Sequence, residues 1–274
     1  MAARHYAILS ISAAALLPAA CGSDQDRFPT ITYEMKTIER RFGTEGDTVN
    51  GFAYLNVTYP EVTAASERGV ADSVSARVWQ FLLRPMAGAG TFETVDDMAK
   101  EFIRNFKDRP DPARTASYGW TWLRKARVET DTLGILGVSL VETRYQGPED
   151  QHAERRYVNF DARTGRLLAL SDLLIPGGDT LLNRTAEQAF RRARRLDLVE
   201  SLAAAGFAFD STAGFRHNGN FLITPKGLAF YVNRGEAGKE ELGPTGYTVP
   251  YTDLAALARP DGPLTPFVAP PPGL

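Results

Sequence analysis

Residues 218–258, NGNFLITPKGLAFYVNRGEAGKEELGPTGYTVPYTDLAALA, decide the fold. Phe221, Leu222 and Ile223 are apolar and β-prone, and the turn signal Thr224-Pro225-Lys226-Gly227 folds a second run, residues 228–232, back against them. After a polar loop, Gly243-Pro244-Thr245-Gly246 leads into a third short strand at 247–249. Pro250 then opens a helical turn carrying Leu254 and Leu257. Physically this is a small sheet edge closed by a helix, with no nucleophile or metal-ligating set inside it.

Upstream, residues 180–195 place Leu182, Ala186, Ala189, Phe190 and Ala193 on one helical face, and 197–205 reads as a further helical piece. Two strands, 155–160 and 167–170, are joined by Asp161-Ala162-Arg163-Thr164-Gly165. Nearer the N-terminus, 31–42 and 52–59 are strands. In the second, Ala53, Leu55, Val57 and Tyr59 alternate with polar residues up to Pro60, which ends it.

A helix at 64–84 carries the stripe Val70, Val74, Val78, Phe81 and Leu82. Another at 95–107 carries Val95, Met98, Ala99, Phe102 and Phe106, with Thr94 as N-cap and Asp97 at capping-box spacing. Strands at 118–130 and 134–145 follow, with Asp131-Thr132 near their turn. The class is α+β: two packed modules, each an antiparallel sheet covered by helices, at 31–150 and 151–258. Residues 259–274 form a Pro-rich tail expected to be extended.

The order of parts in 218–258 resembles the C-terminal domain of RsiV-type proteins, the lysozyme-sensing anti-sigma-V regulators and their envelope relatives. Phe221, Thr224, Lys226, Gly227, Leu228, Phe230, Tyr231, Asn233, Glu236, Gly243, Pro244, Pro250, Tyr251 and Leu254 fall in register with that family's phrase. Asn159-Phe160-Asp161, Thr164-Gly165 and Leu168 to Leu173 resemble a second phrase of the same family. The strand, helix, helix, strand-pair order before them is similar to the domain that also precedes PdaC-type peptidoglycan deacetylases. Together these features run from about residue 45 to 258.

The chain has 274 residues, 43% of them hydrophobic and 23% charged, with a formal net charge of −2. These are globular proportions, and neither sign of charge argues for nucleic acid. Arg4, the apolar stretch at 7–17, and Ala19-Ala20 before Cys21 form a leader over residues 1–20. That leader is too short to span a bilayer. With Cys21-Gly22-Ser23-Asp24 it resembles a bacterial lipoprotein leader, although Pro18 stands where Leu is usual. Lipidation of Cys21, the chain's one cysteine, and a tether at 21–30 follow from that reading. So does an extracytoplasmic, membrane-anchored placement in the periplasm or at the outer membrane of a Gram-negative bacterium.

His152 and His217 lack partners at metal-ligand spacing and read as solvated loop residues. No elbow nucleophile or phosphate loop is present, and no cofactor or metal is called for. Glu236, Glu240 and Glu241 are an acidic set that could meet a basic protein. The resemblance adds Tyr231, Tyr145 and His152 as ligand-binding positions, while Gly235 and Glu240 stand where the family shows tyrosines. Arg191, Arg192, Arg194 and Arg195 suit either an anionic glycan or headgroup, or the dipole of the helix they close. Trp120 and Trp122 share a strand face, as core or as a sugar platform.

The resemblance implies a non-catalytic binding or sensing protein for a lysozyme-type protein or peptidoglycan. It carries no anti-sigma role, because sigma binding needs a cytoplasmic segment and only a few residues precede the apolar leader. An accessory or diverged peptidoglycan-modifying enzyme, and an architectural envelope protein, are the alternatives.

Overall fold

The computed structural model describes residues 28–47, 49–86, 90–109, 119–209 and 214–268. The leader, Cys21, Tyr118 and the end of the tail lie outside the described residues. The architecture is α+β, in two modules with two hydrophobic cores, the second of which also takes in Ile135 from the first module.

In the first module β1 (Thr32–Gly43) and β2 (Phe52–Ala64) pair antiparallel. The chain then crosses one sheet face through α1 (Arg68–Leu82) and α2 (Val95–Lys107), and returns as β3 (Trp120–Thr132). A crossover of this length brings a strand back parallel, and Ala53 to Thr58 do pair parallel with Trp120 to Lys125. The sheet is therefore mixed, and in this respect it corrects the wholly antiparallel expectation. β4 (Ile135–Tyr145) and β5 (Gln151–Asp161) complete it in the order β1-β2-β3-β4-β5. β5 pairs with β4 along its length, so the passage between modules falls after Asp161.

Both helices bury the stripes read from the sequence: Val70, Val74, Val78, Phe81 and Leu82 in α1, and Val95, Met98, Ala99, Phe102 and Phe106 in α2. Thr94 Oγ1 accepts from Asp97 N at 3.1 Å and donates to Asp97 Oδ2 at 2.7 Å, closing the α2 N-terminus. Trp122 is buried and Trp120 half-buried, against Phe102 at 5.6 and 6.0 Å; they are core residues.

Pro60 does not end β2, which continues to Ala64. Pairing with β3 stops at Thr58, so beyond it β2 has β1 alone as neighbour and the missing N–H of Pro60 interrupts no second ladder. The β3–β4 turn lies at Leu133 and Gly134, both at positive φ (51° and 78°), two residues past the expected place.

Residues 167–170 are not a strand. Leu167 makes one bridge to Phe160, and α3 (Leu170–Leu173) begins where Asp172 Oδ2 accepts from Ala169 N at 2.8 Å.

In the second module α4 (Gly178–Arg194) lies against the antiparallel sheet of β6 (Phe221–Thr224), β7 (Gly227–Val232) and β8 (Thr245–Pro250). Leu182, Ala186, Ala189 and Phe190 are buried there, whereas Ala193 is exposed. The β6–β7 turn requires Gly227, at φ 147°, because a Cβ there would meet Val249 O at 2.1 Å.

Residues 197–206 form turns instead of a helix, because the Arg191 guanidinium takes the Asp197 and Glu200 carbonyls (3.0 and 2.7 Å). After α5 (Tyr251–Leu254) the first part of the tail is folded. Arg259 N donates to Leu173 O at 2.8 Å, Leu264 is buried, and Phe267 of α6 (Thr265–Val268) meets Tyr251 at 5.2 Å. A proline-rich composition disfavours regular ladders but leaves apolar side chains free to pack.

Candidate binding cleft

The site grows from β5, which as the last strand of its sheet would offer unpaired N–H and C=O groups along its outer side. Asparagine side chains of the second module take them instead. Asn233 Oδ1 accepts from Arg155 N at 2.7 Å and its Nδ2 donates to Arg155 O at 3.1 Å. Asn220 does the same for Tyr157 N and Arg155 O, each at 2.8 Å. In the opposite direction Asn159 of β5 donates to Phe221 O (2.9 Å) and accepts from Ile223 N (2.8 Å). A primary amide carries one acceptor and a donor group, the same pair that a strand neighbour would present. Nearby, Thr130 Oγ1 donates to Ile223 O at 3.0 Å, and Leu222 seats where a Cβ on Gly137 would meet it at 2.7 Å.

Glu236 holds this joint in shape. Its Oε2 accepts from Asn233 N (2.7 Å) and Asn218 Nδ2 (2.9 Å), and its Oε1 from Asn233 Nδ2 (3.1 Å).

Between the joint and α1 lies a cleft of about 710 Å³. Asn218, Asn220, Asn233 and Glu236 form one wall, and Arg77, Gln80, Phe81 and Arg84 the other. Leu140, Glu154, Arg156, Tyr157 and Val158 lie between them. Planar amides and guanidinium groups over a partly apolar base are the usual means of orienting a polar ligand.

The charges of the cleft are anchored below its floor. Arg84 Nη2 donates to Glu154 Oε2 at 2.7 Å and approaches Glu142 Oε2 at 3.4 Å; Arg156 Nε also donates to Glu154. Beneath them, buried Arg124 pairs with Glu142 at 2.9 Å and donates to the Leu82 and Arg84 carbonyls, closing the C-terminal end of α1. Burial holds the Arg124 guanidinium down to about 10, with Glu142 pulling the other way, so it is charged at neutral pH. For Glu154, burial works to raise the carboxyl pKa, but hydrogen bonds and charge from Arg84 and Arg156 together leave it below the ordinary value.

Of the sequence candidates, Glu236 lines the cleft. Tyr231 stands behind the joint, edge-on to Tyr157 at 6.3 Å with the Arg155 guanidinium 4.8 Å from its ring centre. His152 is exposed, its Nε2 3.9 Å from Glu154 Oε2, and Tyr145 is half-exposed at the end of β4 opposite Gln151. Glu240 and Glu241 are exposed on a separate turn, Glu240–Leu242, where Arg234 lies 3.5 Å from Glu240. Glu240 Cγ comes within 3.6 Å of where a Cβ on Gly235 would stand, beside Glu236, and of the three glutamates the cleft lining takes in Glu236.

His217 is not a solvated loop residue. Its side chain is 7% exposed, Nε2 lies 2.8 Å from Asp179 Oδ1, and the ring packs on Phe230 at 5.6 Å. Arg191 and Arg194 serve internal carbonyls, of Asp197 and Glu200 and of Gly243 respectively, while Arg192 and Arg195 are exposed.

Asn218, Asn220, Arg77, Gln80 and Glu154 were not singled out by sequence. The nearest signal was the polar run Asn218-Gly219-Asn220 directly before an apolar strand. Among the described residues no three His, Cys, Asp or Glu side chains gather around one point, and no helix is long and apolar enough to cross a membrane.

No family profile matches the chain, and no curated protein matches it. Solved structures do. A member of the DUF3298 family from Bacteroides fragilis superposes with a TM-score of 0.63 at 16% identity, over 88% of this chain and 98% of that one. A DUF3298 family protein from Pseudomonas aeruginosa gives 0.60 at 17% identity, over 84% and 96%. At that identity the likeness establishes a shared two-module fold.

Proposed function

We propose that the chain is a non-catalytic envelope protein, anchored through a lipid on Cys21, that binds a peptidoglycan-type saccharide in the cleft beside β5. The carrying observation is the cleft wall: three amides, Asn218, Asn220 and Asn233, face Arg77, Gln80 and Arg84 across Tyr157 and Val158. The amide N–H groups are all committed to the joint, so the amides keep only acceptor lone pairs, held in fixed planes. With the donors of Arg77 and Gln80 opposite, these suit hydroxyl and acetamido groups, and the guanidinium groups suit a lactyl or peptide carboxylate. Two positions of the family-like phrase, Asn233 and Glu236, are among the lining residues.

A glycan hydrolase needs one carboxyl kept protonated as general acid. Glu154, bound by two arginines, is held ionised instead. A basic lysozyme-type partner would meet Glu240 and Glu241 with Arg234 and Lys239 alongside, which dilutes the acidic face. The saccharide reading is therefore the stronger.

Calorimetric titration of the chain with soluble muropeptides, and separately with a basic animal-type lysozyme at low and moderate salt, tests this. One-to-one muropeptide binding is expected, weakened at least tenfold by Arg77→Ala with Gln80→Ala, and with glycan recovered intact. Heat with lysozyme alone, or recovery of cleaved or deacetylated glycan, would overturn it.

A further inference from the structure

The opposite edge of the first sheet carries a second groove. Among the described residues β1 has one strand neighbour, β2, so alternate residues along its twelve-residue length turn their N–H and C=O groups away from any ladder. A groove of about 480 Å³ lies there, between Arg40 and Arg41 of β1 and the near flank of α2. Consecutive strand residues point to opposite faces, so a groove lined by both arginines sits at the strand edge and not over one face.

Its apolar contacts come from Ala99 and Ile103, one turn apart on α2. Its rim holds five cations, Arg40, Arg41, Lys100, Arg104 and Lys107, against two carboxylates, Asp96 and Asp108. Arg40 is engaged by Asp96 at 2.6 Å, while Lys107 and Arg41 lie over the Phe42 and Tyr54 rings at 4.3 and 4.9 Å. Lys100 and Arg104 make solvent-exposed pairs with Asp97 and Glu101, which a ligand carboxylate can exchange at little cost.

A strand edge with no ladder partner among the described residues, flanked by a helix, with small apolar side chains beneath and positive charge above, has the components of a strand-addition site. We propose that this groove docks an extended acidic peptide, which adds to β1 as a sixth strand. The backbone edge supplies affinity, Ala99 and Ile103 receive a small apolar side chain, and the cations select flanking carboxylates. A phosphate polymer or an anionic membrane could use the cations but not the strand edge, which is why a peptide fits better.

The test is fluorescence anisotropy of the full chain with a labelled hexapeptide of alternating glutamate and valine. The comparisons are the same peptide N-methylated at alternate residues and an alternating lysine–valine peptide. The acidic peptide is expected to saturate the site. N-methylation should weaken it at least tenfold, as should Arg41→Glu with Lys107→Glu in a variant whose melting temperature is unchanged, and the lysine peptide should not bind. Equal binding of the N-methylated peptide would overturn the proposal and leave a plain polyanion or membrane patch. Absence of binding, or binding that survives the double charge reversal, overturns it outright.

Discussion

Asn159 shows how much a single amide does here. It is 2% exposed, and both ends of its side chain are committed, to Phe221 O and Ile223 N. Asn159→Ala strands both backbone groups in a buried place, a loss of about 1–3 kcal/mol for each group left unsatisfied. Urea unfolding should show a lower midpoint with an unchanged slope. Glu154 governs a pH response instead. Its folded pKa lies below the ordinary 4.5, so its stabilisation is complete above the unfolded value and is lost as the pH falls through the folded one. Urea midpoints taken at about pH 7, 5, 4 and 3 should therefore fall less steeply in Glu154→Gln than in the parent chain. An identical slope in the two would show that Arg84 and Arg156 do not favour the ionised form.

At the scale of elements, the helices were legible because their information is periodic and local. The ten apolar positions read for α1 and α2 are the ten the structure buries, and the Thr94 cap is made as its spacing implies. Thr94→Ala should cost about 1 kcal/mol, read as a shift in the unfolding midpoint, since it removes the acceptor for Asp97 N.

What was misread depended on partners remote in sequence. Pro60 breaks a strand only where a ladder needs its N–H, and that need is set by where β3 stops pairing. Residues 197–205 have helical composition, yet Arg191 competes for their carbonyls from the preceding helix. The cleft was least legible of all, because two of its amides, Asn220 and Asn233, serve β5 backbone atoms 63 to 78 residues away. Asparagine in a loop gives no sign of such an errand.

For the whole molecule the question is whether two cores behave as one folding unit. Each module buries its own apolar cluster, which alone would permit two separate transitions. Against that, the edge of β5 is closed by Asn220 and Asn233, Asn159 reaches back into β6, and Leu222 lies on the first sheet at Gly137. Opening the joint exposes β5's backbone to water and uncovers an apolar contact, so either module unfolding alone forfeits interactions of the other.

The expected outcome is one calorimetric transition whose van't Hoff and calorimetric enthalpies agree. Replacing Asn159, Asn220 and Asn233 together with alanine should split it in two, because each core is left intact while the amide hydrogen bonds of the joint are removed, leaving the Leu222 contact and the Thr130 bond as the remaining links. Two transitions already present in the parent chain would mean that the joint orients the modules without coupling them. The cleft built at that joint would then open and close on the motion of one module against the other.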